Sequence, residues 1–160
     1  MKFFFIFFVL IQIVFLTNLS AQDLMKERIR KLSSNKTSIY IERGIFHNGG
    51  VKLEAVMKTI RQSFNPKQGF ERIVIDFNTN QVPKIYGHIS SIDKSIYVDF
   101  FDTTLQKDFK GISSKRFIEK INFFPIESNH LSMEIKLKAK VTADIFYLDN
   151  PGRLVIDLKN

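Results

Sequence analysis

The stretch from Ile145 to Leu158, Ile-Phe-Tyr-Leu-Asp-Asn-Pro-Gly-Arg-Leu-Val-Ile-Asp-Leu, constrains this chain more than any other, because it reads as two short strands folded around a Pro-Gly turn. The spacing of Asn150-Pro151-Gly152-Arg153 predicts a type II turn: proline presets φ at the first central position, and glycine accepts positive φ at the second. After the turn, Leu154, Ile156 and Leu158 alternate with Arg153, Val155 and Asp157. A strand of period two therefore puts the aliphatics inward and an arginine and an aspartate on the opposite face.

The order Arg-apolar-apolar-apolar-Asp-apolar in Arg153 to Leu158 recurs in Arg72 to Phe77, and Ser95 to Phe100 repeats it without the arginine. When Val98-Asp99-Phe100 is laid on Ile156-Asp157-Leu158, Val82 to Ile89 falls near Val141 to Leu148, and Ile73 to Phe77 near Met133 to Leu137. The offset predicts two halves of one domain with a shared plan of strand, hairpin, strand, strand, turn, strand, an internal duplication too short for a solenoid. Plain β alternation is the competing source of such similarity.

Alternating runs punctuated by turn residues continue along the chain. Strands are expected at Ile39 to Phe46, Ile60 to Phe64, Arg72 to Phe77, Lys84 to Ile89, Ser95 to Phe101, Phe117 to Phe124, Leu131 to Lys138, Ala143 to Leu148 and Arg153 to Leu158. Val51 to Ile60 fits both a strand and a helix face, and Asp102 to Lys115 reads as the connection between the halves. The pattern is that of an all-β chain folded as an antiparallel β-sandwich.

Met1-Lys2 precedes an apolar run from Phe3 to Leu16, and Thr17 to Gln22 carries small residues suited to a signal peptidase. Residues 1–21 are therefore expected to be a cleaved signal helix that exports the protein. An uncleaved anchor is the alternative, although the run is shorter than the ~17 residues a spanning helix needs. Cleavage after Ala21 leaves 139 of the 160 residues, the size of one domain with a sizeable core. Residues 22–38 form a basic segment, either a loose tail or a short amphipathic helix, and 39–160 the sandwich domain.

The chain has no cysteine, which excludes a disulfide framework, a lipid-attachment cysteine and thiol catalysis. Loss of Lys2 with the signal takes the 24 basic residues to 23 against 16 acidic ones. That surplus favours anionic partners such as cell-wall polymer or lipid headgroups, or serves solubility alone; export argues against nucleic acid.

Taken together, Arg72-Ile73-Val74-Ile75-Asp76-Phe77 and Tyr147-Leu148-Asp149-Asn150-Pro151-Gly152-Arg153-Leu154-Val155-Ile156-Asp157-Leu158 resemble the AMIN domain, a bacterial envelope module. AMIN domains stand ahead of the catalytic domain in some N-acetylmuramoyl-alanine amidases and occur in outer-membrane secretins. The similarity covers roughly Met57 to Leu158. It implies a sandwich of two similar four-stranded sheets with motif residues on the outer faces, binding peptidoglycan or localising its owner in the periplasm. Leu131 to Leu137 lacks the arginine and aspartate of the pattern, which implies that one sheet has lost its binding face. With the sequence ending at Asn160, the resemblance implies a stand-alone module.

Catalytic signatures are missing from the sequence. His47, His88 and His130 lie in separate segments without zinc-ligand spacing, and no nucleophile elbow or phosphate-binding loop appears. No metal or cofactor is expected, and a carboxylate pair among Asp76, Asp99 and Asp157 has a structural explanation in the repeated strand phrase. The remaining candidate is a ligand-binding face made of Arg72, Asp76, Tyr97, Asp99, Tyr147, Arg153 and Asp157. There a guanidinium fork would meet a stem-peptide carboxylate, aspartate would meet glycan hydroxyls or an amine, and tyrosine would stack on sugar. Arg153 and Asp157 are about 13 Å apart along a strand at ~3.3 Å per residue, so each needs a partner on a neighbouring strand or in a ligand. The expected function is that of a non-catalytic periplasmic module binding peptidoglycan. The alternative is an adaptor for another envelope protein without wall affinity.

Overall fold

The computed structural model describes residues 29–34, 39–112, 116–127 and 129–160. The expected signal helix and its cleavage site lie outside the described residues. Within them the chain is all-β, with no helix: β1 (Ile29–Lys31), β2 (Gly44–His47), β3 (Ala55–Asn65), β4 (Phe70–Phe77), β5 (Ile85–Ser90), β6 (Ser95–Phe100), β7 (Thr103–Leu105), β8 (Ile118–Ile126), β9 (His130–Leu137), β10 (Thr142–Leu148) and β11 (Arg153–Lys159).

Two sheets form, one of six strands in the order β1-β2-β5-β6-β9-β8 and one of five in the order β10-β11-β4-β3-β7. The sandwich-like all-β class agrees with the sequence; sheets of four strands, and wholly antiparallel pairing, do not. β1 runs parallel to β2, and β7 parallel to β3. Ile29–Lys31 thus belongs to a sheet, where residues 22–38 had read as tail or helix.

Between the sheets lies a single apolar cluster. Ile73, Ile75, Leu154 and Ile156 from the five-stranded sheet meet Ile96, Val98, Met133 and Ile135 from the six-stranded one, all at most 1% exposed. Each such side chain contributes about 1.5–3 kcal/mol on burial. Phe77 and Phe100 touch across the layers with ring centroids 5.9 Å apart.

The duplication expected from the repeated phrase is visible in the topology. Four hairpins, β3–β4, β5–β6, β8–β9 and β10–β11, supply four consecutive strands of each sheet. The six-stranded sheet joins the second hairpin to the third through β6 and β9, and the five-stranded sheet joins the fourth to the first through β11 and β4. Replacing each strand of β5-β6-β9-β8 by its counterpart in the other half gives β10-β11-β4-β3. A pseudo-twofold therefore relates the sheets, and each is built half from each repeat.

The turn after β10 differs from the expectation. The Asn150–Pro151 bond is cis and positive φ, 55°, falls on Asn150 rather than Gly152, so no type II turn forms. Glycine is needed for a different reason. A Cβ at Gly152 would lie 2.4 Å from the carbonyl oxygen of Gln81, and the Gly152 N–H donates to the Thr79 carbonyl at 2.8 Å. Only a residue without a side chain lets the two backbones come so close.

The ambiguity over residues 51–60 is resolved by a β-bulge. The register of β3 on β4 shifts between Met57 and Thr59. Buried positions accordingly run Ala55, Met57, Ile60, which breaks strict period two and mimics a helical spacing.

Candidate functional site

The outer face of the five-stranded sheet holds most of the predicted site residues. Arg72, Asp157 and Asp144 occupy one rung across β4, β11 and β10. Arg72 Nε donates to Asp157 Oδ1 at 2.6 Å and Arg72 Nη2 to Oδ2 at 2.7 Å, a two-pronged pair. Asp157 has no exposure, and the Arg72 side chain keeps 31%. The Arg72 guanidinium also lies 5.0 Å from the Phe70 ring centre and 5.8 Å from that of Phe146. The hydrogen bonds to Asp157 outweigh burial and hold the Arg72 pKa above its ordinary value.

The N-terminal segment closes over this rung. Arg30 Nη2 donates to Asp144 Oδ1 at 3.4 Å, the Ile39 N–H donates to the same oxygen at 3.3 Å, and Arg30 Nη1 donates to the Ile39 carbonyl at 2.6 Å. Burial first, and the charges of Asp157 and Asp144 next, raise the pKa of the Tyr40 hydroxyl beside them. Backbone bonds from Ile41 to Ala143, in both directions, cover part of the free edge of β10.

Arg153 and Asp76 face each other in the next but one rung. The Asp76 carboxylate is engaged instead by Arg61, through Nε and Nη2 at 2.8 Å each, and by the Thr59 hydroxyl at 2.7 Å. Burial alone would raise the Asp76 pKa; hydrogen bonds from Arg61 and Thr59, then the charges of Arg61 and Arg153, overcome it and hold the carboxyl below its ordinary 3.8. Tyr147 is partly buried and packs against the core, so its ring does not lie on the outer face.

The six-stranded sheet presents a different surface. Its register sets Lys31, His47, Tyr86, Asp99, Ser132 and Phe124 on one rung from β1 to β8, and Ile29, Ile45, His88, Tyr97, Glu134 and Asn122 on the next. Tyr86 is 42% exposed and Tyr97 39%. The His47 ring stacks on Tyr86 at 5.6 Å with 12° between planes, which braces the tyrosine from one side. The Ser132 hydroxyl donates to Asp99 Oδ1, while Asn122 Nδ2 donates to Glu134 Oε2 at 2.8 Å and Lys136 Nζ stands 3.8 Å from Glu134 Oε1.

Of the seven predicted site residues, Tyr97 and Asp99 share this open face. Arg72, Asp76, Arg153 and Asp157 share the other, where Arg72, Asp76 and Asp157 are engaged by the protein itself and the buried Arg153 Nε has no hydrogen-bond partner among the described residues. Tyr86, His47 and Glu134 also lie on the open face, outside the set of residues that the sequence pattern predicts. Their signal was available for one of them: Tyr86 has the opposite parity to Ile85 and Ile89, and the hairpin around residues 91–94 sets it across from Asp99. Asp76, Asp99 and Asp157 do not converge, since Asp99 lies on the other sheet. Among the described residues, no group of three or more histidine, cysteine, aspartate or glutamate side chains is placed to hold a metal ion.

The fold and this face define a sandwich-like all-β protein that, among the described residues, carries an open aromatic and carboxylate surface. No family model matches the chain, and no curated protein matches it.

Proposed function

We propose that the chain is an exported, non-catalytic binding module of the bacterial periplasm, akin to AMIN domains, that associates with peptidoglycan through the outer face of its six-stranded sheet. The observation that carries this reading is the open pair of Tyr86 and Tyr97 on adjacent rungs, with Asp99 on the rung of Tyr86 and next to Tyr97 on the same face of β6. Flat rings give a saccharide apolar area at small entropic cost, and carboxylates and amides on the same face accept or donate to its hydroxyls and amides. The repeated Arg-apolar-apolar-apolar-Asp phrase supports the kinship, and the basic surplus of the chain supports attraction to an anionic wall. The Arg72–Asp157 pair is assigned to stability, so ligand contact falls on the sheet whose β9 lacks the arginine and aspartate, the reverse of the loss of binding that the resemblance implies for that sheet.

The test is co-sedimentation of the mature protein with purified sacculi. Wild type is expected in the pellet at low salt, and Tyr97→Ala is expected to lower affinity about tenfold, equivalent to ~1.4 kcal/mol. Its melting temperature should stay unchanged because the ring is exposed. Wild type remaining in the supernatant would overturn the reading.

One observation favours the adaptor reading. β8 is an edge strand on which Phe124 and Ile126 are each 49% exposed, beside the open hydrogen-bonding groups that edge strands offer to another chain. A photo-crosslinker at Phe124 that captures one envelope protein, in the absence of sacculus binding, would decide for it.

A further inference from the structure

The pseudo-twofold places the same rung on both sheets, with its charge satisfied on one and not on the other. Asp99 on β6 corresponds to Asp157 on β11, Ser132 on β9 to Arg72 on β4, and Tyr86 on β5 to Asp144 on β10. In the five-stranded sheet both carboxylates of the rung meet guanidinium groups, Asp157 from Arg72 and Asp144 from Arg30. At the equivalent position of the six-stranded sheet, Asp99 has the Ser132 hydroxyl as its partner and, among the described residues, no ion pair. Where one repeat supplies its own cation, the other leaves the place open beside two tyrosine rings. Tyr86 lies directly opposite Asp99, about 5 Å away between Cβ atoms, and Tyr97 is its same-face neighbour on β6.

A carboxylate flanked by exposed aromatic rings receives a cation by charge and by the negative ring faces. Its form can be narrowed. Asp157 gives both oxygens to the fork of a guanidinium, whereas Asp99 already has one oxygen engaged by Ser132, leaving one for a single strong donor. That geometry suits a compact ammonium better than a guanidinium. Glu134, the other carboxylate of the face, is met by Asn122 and Lys136 and so competes weakly for the same charge.

We propose that Asp99, with Tyr86 and Tyr97, binds the free side-chain ammonium of a diamino acid in the stem peptide of peptidoglycan. The inference rests on the wall-binding reading above and names the group on the wall that the face selects. Sacculi whose free amines have been N-acetylated, compared with untreated sacculi, test it against wild type and Asp99→Asn. Acetylation is expected to weaken wild-type binding about tenfold. Asp99→Asn is expected to bind untreated sacculi at that reduced level and to lose nothing further on acetylation. Equal binding of wild type to both preparations, or full binding by Asp99→Asn, would overturn the ammonium assignment while leaving wall binding in place. Failure of wild type to sediment with untreated sacculi would remove both.

Discussion

Asp157 shows how a residue drawn from a surface pattern can end up structural. Alternation placed it correctly on the outer face of β11, opposite Leu154, Ile156 and Leu158. The covering groups come from far away in sequence: Arg72 stands 85 positions off, and Arg30 reaches the neighbouring Asp144 across 114. Strand parity carries no information about such partners, which is why the face looked open in sequence and is largely closed in the fold. Asp157→Asn should therefore cost about 3 kcal/mol, the low end for breaking a buried pair, because Arg72 keeps partial access to water. Urea unfolding would show it as a lower midpoint with an unchanged slope. Tyr97 and Asp99 are the converse case, since parity placed them outward and no segment among the described residues seals them.

Hairpins were the most legible elements, because a turn signal between two alternating runs fixes strand, partner and register together. β10–β11 and β5–β6 follow their turns in this way, and Asn65 at the β3–β4 turn accepts from the Lys67 and Gln68 N–H groups at 3.1 and 3.2 Å. β1 and β7 escaped notice because three residues are too few to alternate, and parallel pairing at a sheet edge leaves no local mark. The bulge in β3 hid a strand by shifting its phase. The Pro-Gly signal marks the place of the β10–β11 turn but not its conformation, since its shape is set by the Thr79–Gln81 backbone against which it packs. Gly152→Ala should thus disturb the fold through contact with the Gln81 carbonyl, lowering stability by about 1–3 kcal/mol. Gly87→Ala should do so through the Phe46 ring, 2.1 Å from the added Cβ. Phe46 is fully buried, so its ring is held by the core, and thermal melts should show both variants destabilised.

For the molecule as a whole, acid should act through Asp76. Its folded pKa lies below the unfolded one, so its contribution is fully present above about pH 3.9 and is lost as pH falls through the folded value. The Arg61 side chain is 59% exposed, which limits the contribution to about 1 kcal/mol. Asp76→Asn should be less stable than wild type at neutral pH and should converge with it on acidification, as read from unfolding midpoints between pH 2 and 7.

Neither repeat owns a complete sheet, since the β6–β9 and β11–β4 seams both join one half of the chain to the other. Severed between Ile112 and Arg116, the polypeptide should yield two pieces that stay unfolded alone and reconstitute the native molecule on mixing. The same interdependence gives two copies a ready route to trade halves at high concentration, each completing the other's layers.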